Sequence, residues 1–334
     1  MTETIATIEE LEACVGTAAL GTKMKIIDHL DAGAERWIGA SPIAFVGVSG
    51  DGAPRATLAG GAPGFAVVKD KTHLSLPRAS LDDADIATVG QGAGVLFLAP
   101  GVGETLRANG RVSAVSADAV VFEINECFIH CAKALIRSDF WAAAPLGEAP
   151  DDAEGFLFAS RFLALATADA DGRTDVSPKG DPAGSLVRLQ DGVATLAERP
   201  GNKLAFGYHN MIAHPAVAAI AVLPGSTKIA VITGSARLST DETVRNAFIV
   251  EGKAPILATM IGDVAPEIRE SAALKRAALW PAKAETPAID PAAVLVAHVK
   301  LNKSKGLAAM AIRTAISKTV VAKGLDAAYK HTLY

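Results

Sequence analysis

The chain has 334 residues, 50% of them hydrophobic and 20% charged, enough apolar material for two ordinary cores and too much for an intrinsically disordered chain. Thirty-two Lys and Arg stand against 36 Asp and Glu, a formal charge of -4, so no global basic field recommends nucleic acid or an anionic membrane as a partner. Mean hydropathy is high at +0.29, but much of it is scattered alanine, and no run reaches the roughly 18 apolar residues that a spanning helix needs.

Residues 1–10 are polar and acidic, without the basic and apolar regions of an export signal, and the expected compartment is the cytosol. A helical region is expected over 7–37. Strands are expected at 43–48, 66–68, 73–76, 94–99 and 104–113, short apolar or alternating runs separated by the Asp-Gly, Pro-Gly and Asn-Gly pairs of antiparallel hairpins. The acidic, proline-bearing stretch 144–154 reads as a linker between a first domain, 1–143, and a second, 155–334. In the second, strands are expected at 162–167, 185–189, 193–197, 216–223 and 228–238. Helices are expected at 204–213 and over an insertion, 240–279, broken at Pro255 and Pro266.

The two sets of strands are a repeat. Ala40-Ser41-Pro42 and the turn Gly50-Asp51-Gly52 match Ala159-Ser160-Arg161 and Ala170-Asp171-Gly172 at offsets of 119 and 120. Gly64 pairs with Gly184 at 120, and Ala99-Pro100-Gly101 with Leu223-Pro224-Gly225 at 124. Four additional residues of the second copy therefore fall in 203–214. Each copy reads as a small, mostly antiparallel barrel with helices attached, and two such barrels in one chain are expected to pair as an intramolecular pseudo-dimer. Further dimerisation is left open.

Three cysteines, Cys14, Cys127 and Cys131, are too few for a disulfide framework. Cys127, His130 and Cys131 crowd within one short segment, but no second Cys or His pair completes a closed zinc site, and no metal is expected.

The densest polar constellation is Asp175-Val176-Ser177-Pro178-Lys179-Gly180-Asp181, followed by Glu198-Arg199-Pro200-Gly201-Asn202-Lys203. Hydroxyl, guanidinium, ammonium and helix N-terminal amides are together suited to a phosphate, although two basic turns on a solvated edge would read the same. A second cluster lies in the first copy. Arg107 and Asn109 alternate along one strand and so share a face, while Lys133 and Arg137 stand one helical turn apart in His130-Cys131-Ala132-Lys133-Ala134-Leu135-Ile136-Arg137.

These segments, the Arg107 strand being Gly103-Glu104-Thr105-Leu106-Arg107-Ala108-Asn109-Gly110, make four motifs that resemble those of the FMN-binding split-barrel proteins of the pyridoxamine 5'-phosphate oxidase-like class, here in tandem. The resemblance implies two split barrels with FMN in a cleft between them, and an FMN-dependent oxidoreductase acting on a small-molecule substrate with NAD(P)H as a candidate electron donor. In that picture Ser177, Lys179, Arg199, Asn202 and Lys203 hold the phosphate end. Arg107, Asn109 and Lys133 reach across from the first copy. A flavin-binding sensor or carrier without turnover, and a haem-binding split barrel with His130 as candidate ligand, remain alternatives. The chain departs from the family pattern at Lys179, where an arginine is usual; the charge is kept and the bidentate fork is lost.

Each copy keeps only half of the motifs. Ser177 to Asp181 face Thr57-Leu58-Ala59-Gly60-Gly61, and Arg199 to Asn202 face Ala79-Ser80-Leu81-Asp82. Conversely Glu104, Arg107 and Asn109 face Lys228, Val231 and Thr233, and His130 to Lys133 face Asn302-Lys303-Ser304-Lys305 at an offset of 172. The expectation is one good flavin site and one degenerate site per chain.

Overall fold

The computed structural model of the chain describes residues 4–51, 53–201, 203–282 and 287–334. Strand β1 (Thr4–Ile5) leads into α1 (Ile8–Val15), α2 (Leu20–Lys23) and α3 (Ala32–Ala40). Thr7 starts α1 with a reciprocal cap: its hydroxyl accepts from the Glu10 amide, and its own amide donates to the Glu10 carboxylate. Gly16, at φ +75°, ends it, so the region expected to be helical is three short helices.

Seven strands follow: β2 (Ile43–Val48), β3 (Arg55–Gly60), β4 (Val67–Val68), β5 (His73–Pro77), β6 (Gly92–Leu98), β7 (Thr105–Val115) and β8 (Ala119–His130). They make one antiparallel sheet in the order β3-β2-β6-β7-β8-β5-β4, and α4 (Lys133–Arg137) closes this half. Helix α5 (Ala153–Ala159) opens the next, with β9 (Phe162–Ala168), β10 (Thr174–Gly180), β11 (Val187–Gln190), β12 (Val193–Glu198), α6 (Phe206–Ala213), β13 (Ala216–Val222) and β14 (Lys228–Ser239). After these come α7 (Glu242–Asn246), β15 (Leu257–Gly262), β16 (Glu267–Glu270) and α8 (Ala272–Ala277). This second antiparallel sheet runs β10-β9-β13-β14-β15-β12-β11, with β1 and β16 added against β14. Strand for strand, that is the order of the first sheet. The protein is mostly β with attached helices, and neither sheet closes on itself among the described residues.

Alternate residues of the central strands face different cores, which is why these strands read as unbroken apolar runs. On β2, Ala44, Val46 and Val48 belong to the core of the first half, while Ile43 and Phe45 join a third core between the halves. On β9, Leu163 and Leu165 point into the second half, and Phe162, Ala164 and Ala166 meet Phe45 and its neighbours in that shared core.

Two helices cross from one half to the other. A Cβ on Gly180 of β10 would lie 2.0 Å from the Ala134 carbonyl of α4, and one on Gly60 of β3 would lie 2.2 Å from the Ala273 carbonyl of α8. Only glycine permits these approaches.

That symmetry corrects the expected pairing of residues 130–133 with 302–305. The counterpart of α4 is α8. Arg137 donates to the Pro200 carbonyl as Arg276 donates to the Ser80 carbonyl, and Asp139 and Ala278 both take φ near +50° (49° and 47°). Lys133 therefore faces Ala272, and Lys305 lies between later helices. The segment 240–279, expected to be helical, holds two strands as well as α7 and α8.

Helices α9 (Pro291–Leu301), α10 (Leu307–Ala315) and α11 (Lys318–His331) return the chain to the first half. Val294 packs in the first core, and Asn302 donates to the Ile26 carbonyl at 2.7 Å. No helix among the described residues is long and apolar enough to cross a membrane.

Candidate functional site

Strand β10 carries Asp175, Ser177 and Lys179 at every second position, so all three share one face of the strand. Opposite them stand Arg107 on β7 and His130 at the end of β8, with Lys133 and Arg137 on α4. Glu198 ends β12, and Arg199 and Lys203 follow it on the way to α6.

A cavity of about 310 Å³ opens among them. The first half contributes Arg107, His130, Lys133 and Arg137 to its walls. Ser177, Lys179, Glu198, Arg199 and Lys203 come from the second half. Among the described residues, six cationic side chains therefore line it against one carboxylate, in a protein whose net charge is negative.

The cations are held in different ways. Arg107, 2% exposed, donates to Asp175 at 2.6 Å and to the Ser177 hydroxyl at 3.4 Å, and its Nε has no partner among the described residues. Asp175 also accepts from Ser177 at 2.9 Å and from Asn109 at 3.1 Å. The second Arg107 amine lies 3.3 Å from His130 Nδ1, and burial together with Arg107, Lys25 and Lys179 holds that imidazole well below its usual pKa.

Lys179 donates to Glu198 at 2.5 Å and lies 4.8 Å from the centre of the Tyr208 ring. Glu198 also accepts from the Tyr208 and Thr259 hydroxyls, each at 2.7 Å. Arg199 pairs with Asp181 at 2.6 Å and donates to the carbonyls of Phe248 and Lys253. Burial pushes Asp181 up to about 6, against the pull of Arg199. Lys133 and Arg137 meet no carboxylate among the described residues. Lys133 donates to the carbonyl and hydroxyl of Thr332, and Arg137 to the carbonyls of Leu333 and Pro200.

Of the residues singled out in the sequence, Arg107, Lys133, Ser177, Lys179, Arg199 and Lys203 share this cavity. Asn109 does not. It lines a neighbouring cavity of about 580 Å³ with Glu126, Asp175 and Phe206, and shares Asp175 as an acceptor with Arg107 of the first cavity. Asn202 lies outside the described residues. Sequence reasoning passed over Lys25, Tyr208 and the segment 329–334. Lys25 is buried, sits 5.8 Å from the Phe128 ring centre, and its ammonium has no hydrogen-bond or ion-pair partner among the described residues. Burial lowers it to about 8.

At the symmetry-related place the second set of motif residues is missing, although Arg276 stands where Arg137 does and Arg269 pairs with Asp83 beside it. Thr57, Ala59, Val231 and Ala272 occupy the places of Ser177, Lys179, Arg107 and Lys133, and Ala59 is bridged to Leu81.

No protein-family model matches the chain, and no curated protein matches it. Among solved structures, HupZ of Group A Streptococcus is 19% identical, with 35% of this chain and 91% of that one covered and a TM-score of 0.29. An F420 reductase is 17% identical over 35% of this chain and 98% of its own, with a TM-score of 0.27. General Stress Protein 26 from Bacillus anthracis is 15% identical over 34% and 90%, with a TM-score of 0.25.

Proposed function

We propose that the chain is a tandem split-barrel flavoprotein that holds one FMN in the cavity between its halves and works as an oxidoreductase on a small molecule. The observation that carries this reading is the cavity itself, walled by both halves and lined by six cations against one carboxylate. The donor set suits a phosphate-bearing cofactor: a hydroxyl on Ser177, ammonium groups on Lys133, Lys179 and Lys203, and guanidinium groups on Arg107, Arg137 and Arg199. Its volume falls at the lower end of the roughly 300–1,000 Å³ of ligand pockets.

When bound, flavin supplies the hydride or electron transfer. The chain supplies placement. Lys133, Arg137 and Lys203 neutralise the phosphate, while Arg107, fixed by Asp175, presents its unpartnered Nε beside the cavity. His130 lies within 3.3 Å of Arg107 through Nδ1, which gives it a hydrogen-bonding role beside that guanidinium.

Titration of the purified chain with FMN tests the reading. The expected stoichiometry is one per chain, with affinity lost in Lys133→Ala and Lys179→Ala and the bound flavin bleached by NADH or NADPH. Two flavins per chain, or none, would remove it. Flavin that binds once and resists reduction would favour a sensor or carrier.

A further inference from the structure

We propose that residues 329–334 form a strap that occupies the anion-binding end of the cavity, and that a phosphate monoester opens it by taking over Lys133 and Arg137. This rests on the flavin reading and adds to it an internal competitor.

Charge matching and contact with the strap together single out these two cations. Arg107, Lys179 and Arg199 each have a carboxylate within 2.6 Å: Asp175, Glu198 and Asp181. Among the described residues, Lys133 and Arg137 donate only to main-chain carbonyls and the Thr332 hydroxyl. A phosphate dianion offers these cations a full opposite charge, and the guanidinium a bidentate partner, neither of which a neutral carbonyl supplies, so it competes with the carbonyls of Thr332 and Leu333 for the same donors. Burial, ahead of any neighbouring charge, depresses both Lys133 and Arg137, as expected for cations lacking a counter-ion.

The strap is held by a few specific contacts. The Tyr329 hydroxyl donates to Glu104 at 2.7 Å and accepts from the Ala132 amide at 3.1 Å, immediately before α4. The Tyr334 ring lies 5.6 Å from the Arg137 guanidinium and 5.3 Å from that of Arg199, two of the cations that line the cavity. Helix α11, which delivers these residues, buries none of its own completely, so little apolar burial opposes its release. Occupant and ligand thus use the same donors, and the segment can leave without opening a core.

The experiment compares the full chain with a Tyr329→Phe, Tyr334→Ala double variant, using FMN and inorganic phosphate as separate probes. Amide exchange over 318–334 is followed with and without each probe. The expected result is binding at least tenfold tighter in the variant, and faster exchange over 318–334 in the unaltered chain on adding either probe. A second variant ending at Ala328 removes the strap outright and is read in the same way. Equal affinities with unchanged exchange would overturn the strap and leave flavin binding standing. Tighter phosphate binding in the variants, with no FMN binding anywhere, would keep the strap and remove the flavin. No binding of either probe to any of the proteins would overturn both.

Discussion

The guanidinium of Arg107 on β7 lies 2.6 Å from the carboxylate of Asp175 on β10, joining the two sheets by an ion pair from which water is nearly excluded. Removing one partner strands a buried charge. Asp175→Ala is expected to cost about 3–5 kcal/mol in urea unfolding, whereas Arg107→Met combined with Asp175→Leu costs much less than the sum of the single changes. A loss below about 1 kcal/mol for Asp175→Ala would show that the pair is not a structural tie between the halves.

Lys25 should be a stability defect at neutral pH. Its folded-state pKa of about 8 lies below the ordinary 10.5, so below pH 8 it is charged in both states and the burial penalty applies in full. As pH rises from 8 towards 10.5, the folded chain sheds the proton first and the penalty fades. Lys25→Met is therefore expected to raise Tm at pH 7, by a stabilisation of a few kcal/mol (about 1.4 per pKa unit), and the gain should shrink by pH 10. Thermal melts at the two pH values check this; a gain that grows with pH would contradict the assignment.

Gly60 and Gly180 are the points where α8 and α4 meet the opposite sheets. Alanine at either position drives a Cβ into a main-chain carbonyl, and each substitution is expected to cost about 1–3 kcal/mol. Gly21, with no heavy atom within 4 Å of its would-be Cβ, is the control: Gly21→Ala should be neutral or slightly stabilising. Denaturant midpoints of the three variants decide it.

If phosphate charge anchors the ligand, FMN affinity should fall as salt rises from about 0.05 to 0.5 M, while riboflavin, which lacks the phosphate, should bind more weakly and respond little. Fluorescence titration at both salt concentrations is sufficient. Equal salt sensitivity for the two flavins would place the phosphate away from the cations.

The repeat was readable because turn residues keep their spacing: offsets of 119, 120 and 124 carry through to the observed strand registers, where Ile43 pairs with Leu98 as Phe162 pairs with Val222. The pairing of α4 with α8 was missed although both carry Ala-Leu-x-Arg followed by Trp, at Ala134 to Trp141 and Ala273 to Trp280. The insertion containing α7 changes the offset to 139, and a match sought at an earlier spacing passes it by. Within the site, motif residues on β7, β10 and α4 were found because strand alternation and helical turns bring them together locally. Tyr329 and Lys25 had no such signal. The first reaches Glu104 from 225 positions away, and the second is an isolated lysine whose burial comes from tertiary packing.

Each sheet lends a helix to its neighbour, and the cavity takes its walls from both. Covalent linkage fixes the local concentration of one wall near the other whatever the abundance of the protein. A pocket assembled from separate subunits would come apart on dilution, whereas the walls of this one stay together at any copy number.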